Sequence, residues 1–352
     1  MKLVIEQIVF IFLLSSFWAA GVGAEPPTSW EKTPANLPVA TMASEFNTRR
    51  QAINLDDAQL KGWNIFAKRL AQEGVSEETL KDIFLHKKMS QYEPLVFNAR
   101  PTEKHIPYRK RNSLRERTNA LTFYHEHRRS FIAAEKEYQV PVAVILAILQ
   151  IETQCGKFTG EDSIFYRLAR LASSGDAESI KESYPFNLKK HPGITLSEVK
   201  KRALYLEGEF LPHVLATIKY ANQQNQNPMD VKGSYGGAMG LPQFLPGHYF
   251  TYGVDGDNDG KVDLLNPPDA VFSVANYLKY FGWTGVNMST TAKRNVIWNY
   301  NHSADYVSTV LAMASNLDKE LKSPPAIKVS KPKKISRGDT KPQKIKNRHH
   351  LP

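Results

Sequence analysis

Residues 143–156 read "AVILAILQIETQCG", and this stretch limits the fold more than any other. Between Ala143 and Ile151 only Gln150 is polar. A helix that is apolar on every side has no face to offer water, so it belongs at the centre of a domain, wrapped by other elements. Pro141 suits the first turn of that helix and Gly156 its end. Glu152 then arrives near the end of a segment whose other residues belong in a core. Burial strips water from a carboxylate, and a helix C-terminus opposes its negative charge, so both effects raise the pKa. A carboxylic acid that keeps its proton near neutral pH is what a general acid needs. The alternative is a Glu152 paired with a buried arginine or serving as a structural cap.

The surroundings are helical. "EFNTRRQAINL", "DAQLKGWNIFAKRLAQEG" and "SEETLKDIFLHKKM" place apolar residues three and four apart, and Ser76 with Glu78 and Leu80 marks a helix start. The same period predicts helix from about Ser113 to Tyr138 and over 196–225, 268–281 and 303–321. Residues 174–200, with "SSGD", "YPF" and "HPG", read as a polar loop. Nowhere is a strand-like alternation sustained, so the fold class is mainly α.

The two ends of the chain read differently. "MKLVIEQIVFIFLLSSFWAAGVGA" has a lysine, a short apolar run and small residues before a cut after Ala24, the pattern of an export signal. An uncleaved anchor is the other reading, but the apolar run is shorter than the ~20 residues a spanning helix needs. Of the net charge of +11, residues 322–352 carry ten Lys or Arg against the single Asp339, which is +9. That tail, rich in proline and poor in large apolar residues, is expected to be disordered and suited to an anionic envelope surface. Export argues against a specific nucleic acid, and nothing in the chain asks for a partner subunit, so a monomer is expected. Cys155 is the sole cysteine, which excludes an internal disulfide. No protease-like signature surrounds it to suggest a nucleophile.

Three further stretches carry chemistry. "GSYGGAMGLPQFLPG" at 233–247 has five glycines and two prolines, a loop whose backbone can approach another group closely. It lacks the lysine of a phosphate-binding loop. "DGDNDGKVDLLNPPD" puts Asp255, Asp257 and Asp259 at positions one, three and five of an EF-hand loop, Gly260 at six, and the Lys261 carbonyl at seven. Position twelve is Asn266 rather than glutamate, and Asp269, three residues on, can close the shell in a longer loop. Calcium is the expected ion, acting as a structural staple in a chain without disulfides. "WNYNHSADY" gathers Tyr300, Asn301, His302 and Tyr306, aromatic faces and amides that suit sugar rings.

Taken together and in order, "YRKR" at 108–111, "IETQCGKFTG", "GSYGGAMGLPQFLPGHY", "VDGDNDGKVDLLNPPDA", "SVANYLKYFGW" and "YNHSADY" resemble the lytic murein transglycosylases of the B type, glycoside hydrolase family 103. The resemblance covers roughly residues 75–315. It implies a lysozyme-like catalytic domain with an N-terminal helical domain. It also implies Glu152 as the catalytic acid and base, with Tyr108, Ser234, Gln243, Phe244, Tyr277, Tyr300, Asn301 and Tyr306 lining a glycan cleft. Asp255, Asp257, Asp259, Lys261 and Asp269 fall at its calcium positions. The implied activity is cleavage of periplasmic peptidoglycan strands with formation of 1,6-anhydromuramoyl ends, using one acid and no second carboxylate. A hydrolytic muramidase and a non-catalytic wall-binding scaffold are the competing readings.

The organisation that follows is a signal segment at 1–24, a linker at 25–41 and an N-terminal helical domain at 42–135. A catalytic domain at 136–321, with its EF-hand-like loop at 255–269, precedes the basic tail at 322–352. The chain departs from the family pattern at Gln154–Cys155, where an Arg–Trp-like pair is usual, and at Leu241–Pro242, where Tyr–Gly is usual. Only about fifteen residues separate Trp283 from Asn299, where a small lobe normally sits, and 174–200 reads as an insertion.

Overall fold

In the computed structural model, residues 56–102 and 111–322 are described. The signal segment, the linker, Tyr108 and the tail beyond Lys322 lie outside the described residues. Among the described residues, twelve α-helices follow in chain order. Two lead, α1 (Asn64–Gln72) and α2 (Glu77–Phe84). Next come α3 (Leu114–Glu126), α4 (Arg128–Tyr138) and α5 (Val142–Thr153). A third group is α6 (Ile164–Ala172), α7 (Ala177–Lys190) and α8 (Leu196–Gln223). The last four are α9 (Pro246–Tyr252), α10 (Pro267–Tyr280), α11 (Thr290–Tyr300) and α12 (Ala304–Lys322). The only ladder among the described residues is two residues long: β1 (Asp162–Ser163) lies antiparallel to β2 (Lys232–Gly233), with Asp162 opposite Gly233.

Side-chain caps start several helices where the sequence offers a short polar residue. Ser76 accepts the Thr79 amide, Ser289 accepts the Ala292 amide, and Thr195 with Glu198 forms a reciprocal capping box on α8. The central segment behaves as its composition requires: every residue of α5 except Glu152 is buried. Helix α12 packs along it, α3 and α10 flank it, and α4 rests on α10.

The apolar residues form two cores. The first gathers around α5, drawing Phe131, Ile145, Ile148, Phe244, Trp283 and Tyr306 together. The second joins Trp63, Leu80 and Phe84 to Phe165 and Phe210, with α8 packed along α6. These cores do not divide at 135/136. Helices α3 and α4 belong with α5, while α6 and α8 pack against the N-terminal helices. The glycine-rich loop lies between them: Ala238 and Leu245 enter the second core, and their neighbours Met239 and Phe244 enter the first.

Two expectations need correction. The helical run from Ser113 to Tyr138 is two helices that break at His127. Residues 177–190 are helix α7, not loop. Its buried side is polar, Ser179, Ser183 and Asn187 at four-residue spacing, and it pairs with an extended backbone. Ser179 accepts the Leu95 amide at 3.1 Å and Ser183 the Phe97 amide at 3.2 Å. Asn187 accepts the Ala99 amide at 2.7 Å and donates to the Phe97 carbonyl at 2.8 Å. A helix whose inward face is hydroxyl and amide shows no apolar period, so its sequence resembles a loop.

Backbone contact also explains one glycine. Gly160 has φ +95°, and a Cβ there would lie 2.1 Å from the Gly233 carbonyl oxygen. Gly160→Ala is therefore expected to cost about 2–5 kcal/mol, from left-handed strain plus a clash with main chain that cannot swing away. A urea titration showing an unchanged midpoint would contradict the close approach.

Candidate active site

The site is built at the C-terminal end of α5. Ile151 and Thr153 are buried, and Glu152 between them is half-buried. Tyr306, from the first turn of α12, donates its hydroxyl to Glu152 Oε1 at 2.6 Å. Arg111 anchors to the helix end by donating to the Ile151 carbonyl at 2.9 Å. Desolvation by the surrounding protein pushes the Glu152 pKa up to about 7, against the opposing pull of the Tyr306 hydrogen bond and the Arg111 charge. The charged group that opposes this rise is the Arg111 cation. This is one carboxyl poised to give and take a proton near neutrality.

The other expected site residues divide by exposure. Phe244, Tyr277, Tyr300 and Tyr306 come together as one aromatic wall. The Tyr277 and Tyr300 rings are 4.8 Å apart, Phe244 lies 5.5 Å from Tyr277, and Tyr300 stacks parallel to Tyr306 at 6.4 Å. Phe244, Tyr277 and Tyr306 are buried, so their rings back the site rather than face solvent. Tyr277 donates to the Asn299 carbonyl at 2.5 Å, and Tyr300 to the Pro242 carbonyl at 2.6 Å, which ties this wall to the glycine-rich loop. Burial raises the Tyr300 pKa well above the ordinary phenol value, helped by the Glu152 charge, so its hydroxyl stays a donor.

Ser234 and Asn301 are buried too. Ser234 accepts the Ala238 amide at 3.2 Å and so closes the glycine turn on itself. Gln243 is half-buried with φ +53°, and its amide donates to the Gly240 carbonyl at 2.9 Å and to the Thr159 carbonyl at 3.2 Å. That pair of bonds holds the loop after α5 against the glycine-rich loop. The second tie is Thr153, whose hydroxyl donates to the Leu241 carbonyl at 3.0 Å. Arg111 and Thr153 were not singled out from sequence. "YRKR" was recognisable as a segment, but nothing local says which of its cations reaches α5.

The Cys155 thiol does not have the setting of an activated nucleophile. Burial raises its pKa far above the ordinary value against the opposing Lys157 charge, and Sγ donates to Gln150 Oε1 at 3.3 Å.

In the acidic loop only some of the expected acids converge. Carboxylate oxygens of Asp255, Asp257 and Asp269 lie within 4.8 Å of one another. Asp259 lies outside that group, with its carboxylate accepting the Lys261 amide at 2.9 Å. Asp269 is buried and accepts the Gly256 amide at 2.9 Å and the Asp263 amide at 2.7 Å. Gly260 takes the turn at φ +88°. Three converging carboxylates form a hard oxygen donor set, which fits a divalent cation of the calcium type.

If Tyr306 tunes Glu152 as this geometry states, Tyr306→Phe removes an interaction that lowers the pKa. The alkaline limb of any Glu152-dependent activity should then move to higher pH, with turnover reduced about 10-fold or more. A pH–rate profile with an unmoved alkaline limb would show that the hydroxyl does not act on the carboxyl.

Comparison with known proteins agrees with this architecture. The family model described as the transglycosylase SLT domain matches residues 58–290. Membrane-bound lytic murein transglycosylase B of Escherichia coli K12 is 33% identical over 165 residues, which is 47% of this chain and 38% of that protein's length. The match therefore spans well under half of that relative. Two solved structures share the fold. Soluble lytic transglycosylase SltB1 of Pseudomonas aeruginosa has a TM-score of 0.55 at 22% identity over 74% of this chain and 99% of that one. SltB3 of the same organism, in complex with NAG-anhNAM-pentapeptide, has a TM-score of 0.53 at 20% identity over 74% and 79%. The fold is mainly α, as expected, with lysozyme-like lytic transglycosylases as neighbours. A central apolar helix ending in one elevated carboxyl, a glycine-rich loop closed against it and a matching domain model over most of the chain place this protein in the transglycosylase SLT domain family.

Proposed function

We propose that the chain is a peptidoglycan lytic transglycosylase that cleaves the β-1,4 bond between N-acetylmuramic acid and N-acetylglucosamine. The observation that carries this reading is Glu152, the one residue of α5 left unburied, bonded to Tyr306 and holding its proton up to about pH 7. Tyr306 occupies Oε1, which assigns proton transfer to Oε2. Glu152 gives its proton to the glycosidic oxygen, and the C1–O bond breaks with oxocarbenium character at C1. The carboxylate then takes the proton from the C6 hydroxyl of the same muramoyl residue. That oxygen attacks C1 and closes a 1,6-anhydro ring, so water is not consumed and Glu152 ends protonated as it began.

Hydrolytic glycosidases use two carboxyl groups roughly 5–9.5 Å apart, a distance at which each charge raises the other's pKa. The charge effect on Glu152 comes from the cation Arg111, which suits a route that uses one acid.

Ser234, Gln243, Asn301 and the wall of Phe244, Tyr277, Tyr300 and Tyr306 are assigned to shaping the glycan cleft. Tyr108 is assigned to its entrance. Asp255, Asp257 and Asp269, with Asp259 and the Lys261 carbonyl completing the loop, are assigned to calcium. An ion bound there would supply charge neutralisation that helps these residues hold the loop closed. The chain acts in the cell envelope as an exported monomer, with the tail resting on anionic surface. No helix among the described residues is long and apolar enough to cross a membrane.

The deciding experiment is digestion of purified peptidoglycan followed by mass spectrometry of the products. Anhydromuramoyl ends are expected. Reducing ends would establish a muramidase, and strand binding without any product would establish a scaffold.

A further inference from the structure

The end of α5 contains a feature that the helix alone does not stabilise. Gln154 and Cys155 both adopt left-handed backbone, at φ +52° and +57°, before Gly156 at +88°. Glycine usually takes such a cap, because a Cβ there crowds the following carbonyl. Two successive residues with side chains need something outside the helix to hold them.

That support comes from α3. Asn119 donates through Nδ2 to the Gln154 carbonyl at 3.1 Å and to Gln150 Oε1 at 2.7 Å. Gln150 is buried, donates to Glu116 Oε2 at 2.5 Å and accepts the Cys155 thiol at 3.3 Å. Lys157 donates to Asn119 Oδ1 from the far side of the cap. Gln150 and Gln154 thus flank Glu152 by two residues on either side, and Asn119 is bonded to both.

We propose that Gln150 and Asn119 are positioning residues that fix the end of α5, and with it the direction of the Glu152 carboxyl, by clamping it to α3. The clamp grips the Gln154 carbonyl and the Cys155 thiol, the positions where the family resemblance expects an Arg–Trp-like pair. The proposal rests on Glu152 being the proton donor of the proposed function. Displacing a reacting group by about 1 Å costs on the order of 100-fold in rate, so losing the clamp is felt in turnover while the cleft that binds the strand stays formed.

The test uses the full chain with Gln150→Leu, Asn119→Leu and the pair. The readouts are kcat and KM on soluble glycan strands from pH 4 to 9, thermal stability, and the titration of the Glu152 carboxyl by carbon NMR. The expected result is a kcat lower by about 10–100-fold with KM within about twofold. The two substitutions should be non-additive, and the Glu152 midpoint should move. Gln150→Glu keeps the acceptor for Asn119, and at acid pH a proton shared with Glu116 replaces the lost amide N–H. It should therefore recover activity at low pH and lose it as that pair ionises. Should Gln150→Leu fail to fold, the half-buried Asn119 carries the same measurements. Loss of activity only in proportion to loss of folded protein, with an unmoved pH profile and an unmoved Glu152 midpoint, overturns the proposal. The NMR titration also separates this from the proposed function. Without lytic activity in the parent protein, a moved midpoint still upholds the clamp and an unmoved one still ends it.

Discussion

Glu152→Gln is expected to abolish strand cleavage, by about 10²–10⁴-fold, while making the protein more stable at alkaline pH. Both effects come from one cause. The folded protein raises this carboxyl from 4.5 to about 7 by desolvation. A carboxyl with a raised pKa binds its proton more tightly in the folded state, so between those two values unfolding releases a proton. Stability therefore falls as pH rises through that window. No penalty is present below pH 4.5, and the whole of it is present above about 7. Because Glu152 as a residue is half-buried rather than fully buried, the full penalty is discounted to about 2–3 kcal/mol. Glutamine keeps an acceptor for the Tyr306 hydroxyl and carries no charge. The variant and its parent should melt together at pH 4 and diverge progressively to pH 8, the variant higher. Equal melting temperatures at pH 8 would show that Glu152 is not held in a desolvating site, and retained lytic turnover would remove it from the mechanism.

Asp269→Ala is expected to cause the largest loss of stability, about 3–5 kcal/mol. Asp269 is buried at the start of α10, and its two oxygens accept the amides of Gly256 and Asp263. Both residues belong to the acidic loop, so Asp269 ties that loop to the start of α10. Deleting the carboxylate strands both donors, and hydrogen bonds to a charged group contribute about 1.5–3 kcal/mol each. It also removes a negative charge favoured at a helix N-terminus. The metal reading adds a second, separable effect. Calcium in excess should raise the melting temperature of the parent and a chelator should lower it, since ion bound only to the folded state stabilises by mass action. Asp269→Asn keeps the shape and one acceptor, so its loss of stability should be smaller, yet its response to calcium should vanish. A calcium response that survives in Asp269→Asn would place the ion elsewhere.

The legible parts of this protein were those governed by near neighbours in the chain. An unbroken apolar run announces a buried helix, and a carboxylate inside it announces an unusual environment. Asp255, Asp257 and Gly260 announce a sharp turn that gathers carboxylates, because such a loop is set by spacings of one or two residues. Helix α7 has no apolar period to read, because Ser179, Ser183 and Asn187 satisfy backbone groups of 95–99 instead of filling an apolar core. Helix α11 lay in a stretch read only as a shortened connection, and its buried side is just Val296 and Ile297. The Phe244 and Tyr277 rings suit a sugar by type, yet the wall they form is packed inside.

By itself the sequence determined a mainly α protein built around one helix, a lone acid at that helix's end and a loop of acids. These follow from periodicity and spacing, which report burial and local geometry. Only the tertiary structure decided what acts on the acid. Tyr306 is 154 residues away in the chain from Glu152, Asn119 is 31 away from Gln150, and Gly160 meets Gly233 across a two-residue ladder. Such partners are chosen by how α3, α5 and α12 pack, and packing minimises the energy of the whole core rather than of any one segment. The proton affinity of Glu152 is the clearest case: the residue type is local, but the water it loses and the hydroxyl it gains belong to the fold.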